Sequence, residues 1–271
     1  MTRRANDALP GLSLCAPAFS PATFPRAQLL AVACLLTTGR HTLANLLRIV
    51  PHLLHGSSSS YYRVLSQTHW SSLQRAGALA RFVIRPLLPT GLLTLVGDDT
   101  VEGHKGKNVY GKARHRDPVR STKRDTAWRY GHQGVVLGVL VRFPFATRPW
   151  ALPVLVALYR SEEQNRPRQR PHRTPAQLMC RLRRRRLRGF PGRQFRFVGD
   201  ARYGTHAVAR FAPRHHARLA RVSKFHPDAN LYDPPPACPG KGRPRVKGRR
   251  RAKPKVAGAR ARRRQRLQVG W

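Results

Sequence analysis

Three carboxylates carry the most specific chemistry this sequence offers. Asp98 and Asp99 stand side by side in "LLTLVGDDT" (92–100), and Asp200 closes "FRFVGD" (195–200) much later in the chain. Each stretch is an apolar run followed by Val-Gly-Asp, which reads as a short buried strand ending in an acid. If those strands are neighbours in one sheet, their carboxylates converge at one edge. Two carboxylates held that close repel each other and resist ionising unless a cation lies between them. Mg²⁺ (or Mn²⁺) is a hard ion that takes such oxygen ligands and keeps positions open for water and phosphate. A pair of these ions activates a water or a 3′-hydroxyl and stabilises the leaving oxygen in phosphoryl transfer. Read singly, each Asp is more often a turn or capping residue after a strand. The repeated ending, in a chain with 53 Lys+Arg and only 11 Asp+Glu, favours the paired reading.

The charge balance points to a polyanionic partner. A formal net charge of +42 on 271 residues would make a compact domain repel itself unless phosphates were near. Nucleic acid is the expected partner, because phosphate neutralisation supplies most non-specific binding energy. A codon bias toward Arg and Pro accounts for part of the Arg count and not for the scarcity of acids. Lys105 and Lys107 follow the first acidic strand and are placed to hold a phosphate; a solvated loop is the alternative. Arg63, in "SSSSYYRVL" with Tyr61 and Tyr62, and Arg249, Arg250 and Arg251 are further candidates for DNA contact. Packing explains the tyrosines at least as well.

Other chemistry is weaker. Cys15, Cys34, Cys180 and Cys238 show no C-x-x-C spacing, so neither a zinc site nor a disulfide framework is indicated, and a reducing cytoplasm is the default. His215 and His216 are adjacent, a poor geometry for one metal, and His104 and His132 read as substrate contacts or as turn and sheet fillers. No P-loop, dinucleotide fingerprint or Ser-His-Asp pattern occurs. The apolar stretch "AQLLAVACLLTT" (27–38) is shorter than the roughly 20 residues that span a bilayer, so a buried helix is expected and no membrane partner.

These residues need elements to position them. Residues 1–24 hold several Pro and small residues and read as a flexible arm. Residues 25–90 read as helical, with Thr42 as an N-cap, and fit either a helix-turn-helix DNA-binding module or a plain bundle. From 91 to 232 the pattern changes to an α/β class with a mixed sheet. "LLTLVG", "GVVLGVLVRF" (134–143), "WALPVLVALYR" (150–160) and "RQFRFVG" read as strands, and a helix begins at Thr174 as N-cap with Pro175 first. A strand–helix–strand crossover favours parallel neighbours. Residues 233–271 decay into a Pro/Gly-rich basic tail, expected to be disordered.

The order of these segments resembles a DDE transposase of a bacterial insertion sequence, with an RNase H-like core. "LVGDDT" is similar to the family's first-aspartate strand. "GKNVYGKARHRD" and "WRYGHQGVVLGVLVRFPFATRPWALPVLVALYR" resemble the following sheet. "FVGDARYG" resembles the second-aspartate strand with its Asp-x-x-Tyr-Gly ending, and "VSKFHPDANLYDPPPACPGKGRPRVKG" the segment beyond it. The resemblance runs from about residue 25 to 248 and rests on several motifs in order rather than on one. It implies metal-dependent cleavage and strand transfer of DNA, with transposon ends and target DNA as partners. It also implies a nucleoid-associated, cytoplasmic protein and leaves room for a homo-oligomer.

The family's Asp-x-Thr frame selects Asp98, with Thr100 two residues on and therefore on the same pleat face; an Asp-Thr frame selects Asp99 instead. Asp200 carries over as the second metal ligand. The family's third acid is a glutamate on a later helix, and this chain has only Glu102, Glu162 and Glu163, none after Asp200. Asp228 and Asp233 do not stand in the expected helical setting. The resemblance therefore implies a chain truncated before its last catalytic block, with impaired strand transfer. A non-catalytic nucleic-acid-binding protein is the rival reading.

Overall fold

Hydroxyl-capped helices build the first part of the chain. The computed structural model describes residues 11–260 except Trp70, Asn108, Pro118, Lys123, Ala212, His216, 224–226, 238–239 and 241–243. The chain divides into two compact units, Met1–Thr90 and Gly91–Trp271. In the first, α1 (Phe24–Leu36), α2 (Leu43–Ile49), α3 (Ser58–Ser66) and α4 (Ser72–Leu87) follow one another. Thr42, Ser57 and Ser71 start α2, α3 and α4, each side chain accepting a backbone N–H of the first turn. That satisfies donors a helix start leaves unpaired. Leu30, Ala33, Leu46, Leu47, Val50, Tyr61 and Val64 form this unit's core. Tyr61 is buried and its hydroxyl accepts the His55 N–H at 3.0 Å, so it packs, while Tyr62 and Arg63 are exposed on α3.

Part of the expected arm is ordered. A 3-10 turn spans Ala16–Ala18, Ala18 and Thr23 are buried, and the Ser71 N–H reaches the Ala18 carbonyl at 3.2 Å. Phe19 and Phe24 lie against each other with ring centroids 6.2 Å apart. Apolar side chains here gain burial that the Pro content alone does not reveal.

The second unit is a mixed sheet with helices. Its elements run β1 (Leu93–Gly103), β2 (Ala113–Arg116), β3 (Trp128–Val141), β4 (Trp150–Tyr159), α5 (Glu162–Asn165), α6 (Pro175–Gly189), β5 (Phe195–Gly199), α7 (His206–Phe211), β6 (Leu219–Ser223) and α8 (Pro254–Arg260). The path β2-β3-β1-β5-β6 carries β4 as a further partner of β3. β3 is antiparallel to β1, β2 and β4, and β5 is parallel to both β1 and β6. This is the mixed α/β arrangement expected of an RNase H-like nuclease core. The Thr174 cap forms as read, completed by the Gln177 side chain reaching back to the Thr174 N–H, with Pro175 first in α6. β2 lies in the "GKNVYGKARHRD" stretch that resembles the family's sheet, whereas the sequence reading holds no counterpart of α5, α7 or β6.

β1 does not end at its aspartates. It continues to Gly103, because β3 pairs with it from Leu95 through Gly103. The parallel partner β5 stops earlier, at the Gly97–Gly199 pair, so Asp98 and Asp99 sit where one neighbour ends and the other continues. Leu93, Leu95, Val135, Leu137, Val139, Phe195 and Phe197 are buried on one face, as are Met179 and Leu187 of α6. The opposite face leaves Val156 and Val222 exposed.

The described part of the basic tail also departs from expectation. Tyr232 bridges to Arg250, Arg251 pairs with Asp233, and Lys253 and Lys255 pair with Asp228 at 3.5 and 2.7 Å. Two acids thus anchor a segment that composition alone marks as self-repelling. Cys238 lies outside the described residues.

His115 on β2 is buried, in an edge-to-face contact with Tyr159 whose ring centroids lie 5.8 Å apart. Burial, and next the charge of His132, hold its pKa below the ordinary value. The fold therefore prefers neutral His115, while the unfolded chain binds a proton below about pH 6.5. Its stabilising effect is present above that pH and is lost as pH falls from there through the depressed folded value. His115→Phe keeps the ring contact and removes the titration. Urea unfolding of the two proteins across this range is expected to show a shallower loss of stability on acidification in the variant; parallel curves would refute the assignment.

Candidate metal centre

The centre is built on a glycine pair. Gly97 and Gly199 are register partners of the parallel strands. A Cβ on Gly97 would lie 2.7 Å from the Met179 Cε and 2.8 Å from the Phe197 ring. A Cβ on Gly199 would lie 3.0 Å from the Phe197 ring and from the Tyr203 Cβ. The repeated Val-Gly-Asp therefore has a packing cause at its glycine. A side chain at Gly97 would force Met179 and Phe197 to move, and one at Gly199 would crowd Phe197 and Tyr203.

One residue on from each glycine come Asp98 and Asp200. Alternation along the strands places both on the face opposite Leu95 and Phe197. Adjacent strands run roughly 4.8 Å apart, so these are neighbouring positions. Asp98 is exposed, and its Oδ1 accepts the Asp99 N–H at 2.8 Å. Asp200 is exposed, and its Oδ1 accepts the Arg202 N–H at 3.0 Å, which caps the 3-10 turn Ala201–Tyr203. Among the described residues neither makes an ion pair, in a chain carrying 53 Lys+Arg.

Asp99 points the other way and is committed. Its side chain is 6% exposed and pairs with Arg202 Nε at 2.9 Å. Gln133 Nε2 donates to its Oδ2 at 3.1 Å, and the Tyr203 hydroxyl donates to its Oδ1. Burial raises its pKa; Arg202 and Gln133 oppose the shift, while Asp98 and Asp200 add to it. Asp99 thus ties β1 to β3 and to the turn that carries Asp200. Gln133, Arg202 and Tyr203 had no role in the sequence reading. Tyr203 stood in its Asp-x-x-Tyr-Gly motif, and only the sheet pairing shows what the hydroxyl reaches.

The donor set suits a hard divalent cation in kind, since both free groups are carboxylates. It is short in number: among the described residues no group of three or more His, Cys, Asp or Glu is arranged to hold a metal. Glu102 lies further along β1, opposite His132, and Glu162 and Glu163 open α5. Lys105 and Lys107 are exposed just after β1. His132 lies against His104 with ring centroids 4.4 Å apart and planes tilted by 60°, and it bonds the Tyr110 carbonyl at 2.8 Å. His215 packs on Phe211, and His216 lies outside the described residues. Arg63 belongs to the first unit. Of the three tail arginines, Arg250 bonds the Asn230 side chain at 2.8 Å, Arg251 pairs with Asp233, and Arg249 is exposed. No helix among the described residues is long and apolar enough to cross a membrane.

A family model described as DDE superfamily endonuclease matches residues 15–271. No curated protein matches the chain. Among solved structures it is similar to the piggyBac transposase synaptic complex with hairpin DNA, at 10% identity and a TM-score of 0.37 over 76% of this chain and 41% of that one. It is also similar to the Drosophila P element transposase strand transfer complex, at 12% identity and a TM-score of 0.29 over 73% of this chain and 41% of that one. The chain thus spans about two-fifths of the length of these structures.

Two substitutions test the build. Tyr203→Phe removes one bond to a carboxylate from a residue only 1% exposed. It is expected to cost about 1.5–3 kcal/mol in urea unfolding. Gly97→Val adds volume where the Met179 methyl and the Phe197 ring already lie, and is expected to cost about 1–3 kcal/mol. An unchanged midpoint in either variant would contradict the packing described.

Proposed function

The chain belongs to the DDE superfamily endonucleases, and from that premise we propose that it acts in DNA transposition, with Asp98 and Asp200 as ligands of a catalytic divalent metal. Members of this superfamily generally use divalent metal ions. The observation that carries the reading is the pair of adjacent, exposed carboxylates left without a cation in a chain of net charge +42. Mg²⁺ or Mn²⁺ bound there supplies a polarised water or 3′-hydroxyl for attack on a phosphodiester.

The chain's own groups do the rest. Asp98 and Asp200 provide the oxygen ligands, and Asp99 holds the Asp200 turn in place through Tyr203 and Arg202. Lys105 and Lys107 bind a phosphate beside the acids. Arg63 and the arginines at 249–251 add backbone contacts to transposon-end and target DNA. The proposal includes an insertion-sequence origin in a bacterial cytoplasm, close to the nucleoid, and assembly as a homo-oligomer.

Two carboxylates bind a divalent ion more weakly than three, so strand transfer by this chain is proposed to be impaired. The same shortage of ligands, with the high positive charge, favours a non-catalytic nucleic-acid-binding protein as the second reading.

Nicking of supercoiled DNA separates the two. Mg²⁺- or Mn²⁺-dependent nicking is expected for the wild type and is expected to fall by about 10²-fold or more in Asp98→Asn and in Asp200→Asn, while DNA affinity is retained. Asp99→Asn is expected to lower stability and leave residual nicking. Loss of nicking in Asp99→Asn with retention in Asp98→Asn would move the first ligand to Asp99. Metal-independent DNA binding with no nicking by any form would favour the binding protein.

A further inference from the structure

Arg183 on α6 is 0% exposed, an unusual place for a guanidinium. Its charged carbon lies 4.4 Å from the Phe197 ring centroid and 4.5 Å from that of Phe211. These two rings offset part of the desolvation cost. No carboxylate pairs with it among the described residues. Its Nε and Nη1 are buried without hydrogen-bond partners, and the nearby Arg221 also buries an unpartnered Nη1. The polar atom that Arg183 does reach is the Sγ of Cys180, which accepts from Nη2 at 3.1 Å.

A buried cation without an anion demands one. Cys180 can meet that demand once its sulfur carries an added oxygen, an acceptor placed beside N–H groups that have no partner. A thiolate beside an arginine is the reactive form of cysteine. Cys180 is only half-buried, so small reagents can reach it. The other described thiols differ. Cys34 is exposed, and Cys15 lies in an apolar wall where burial pushes its pKa up.

We propose that Cys180 is an oxidative modification site, converted by hydrogen peroxide to a sulfenic acid whose oxygen Arg183 holds. The thiol proton leaves to solvent and the sulfur attacks one peroxide oxygen. An S–O bond forms as the O–O bond breaks, and the departing hydroxide takes up a proton to become water. Sulfur loses two electrons and peroxide gains them. The new oxygen is an acceptor beside a guanidinium that has N–H groups to spare. The site also bears on the fold, since Arg183 stacks on Phe197, three residues before Asp200 in β5.

The test is competitive labelling within one chain. Full-length protein is treated with dilute hydrogen peroxide and a cyclic 1,3-dione that traps sulfenic acids, and the cysteine peptides are quantified by mass spectrometry. Cys180 is expected to be labelled about tenfold or more above Cys34, and the ratio to approach one in concentrated urea, where Arg183 no longer packs on the sulfur. In Arg183→Met, if folded by circular dichroism, Cys180 labelling is expected to fall to the Cys34 level. Labelling of Cys180 no greater than that of Cys34 in the native wild type would overturn the proposal. So would an excess that survives in urea or in folded Arg183→Met.

Discussion

The parallel contact between β1 and β5 positions the carboxylates of the second unit. At its last rung, just before the acids emerge, Gly97 meets Gly199, with Met179 and the Phe197 ring packed where a Gly97 side chain would go, and Phe197 and Tyr203 close to where a Gly199 one would. The next residue on each strand turns to the opposite face, so Asp98 and Asp200 become neighbours without either strand being distorted. Glycine here acts through the room it leaves for Phe197 and Met179, and neither backbone needs a left-handed conformation.

The few acids are used in two ways. Asp99, Asp117, Asp228 and Asp233 each hold one or more cationic side chains and fasten segments that are distant in sequence. Asp98 and Asp200 hold none. In a chain with so large an excess of positive charge, an acid left free beside another free acid is the arrangement that a bound cation relieves. The adjacent pair Asp98–Asp99 therefore divides its labour by pleat direction. Asp98 faces outward and is exposed, and Asp99 faces inward to brace the turn that carries Asp200.

The arginines also fall into distinct groups. Many are exposed, as a phosphate-seeking surface requires. Others are structural: Arg218 donates to the Leu187 and Phe190 carbonyls at 2.9 and 2.6 Å and so helps end α6. Arg183 is buried between two rings against a sulfur. Net charge alone does not separate these roles, because burial and partners decide whether a guanidinium is a ligand group or a packing element.

The sequence by itself determined the sheet strands that bear the acids and the caps at Thr42 and Thr174. Apolar runs, hydroxyl caps and composition shifts are local signals, and local chemistry suffices to read them. It also determined that Asp98 and Thr100 share a face, since strand alternation has a fixed period. Only the tertiary structure decided that β1 runs on past its aspartates, because that depends on the length of β3, a partner distant in sequence. Only it showed that Arg251, Lys253 and Lys255 pair with Asp233 and Asp228, and that Gln133, Arg202 and Tyr203 converge on Asp99. Those contacts join residues from separate strands and turns, and no spacing within one segment records which distant group a carboxylate will meet.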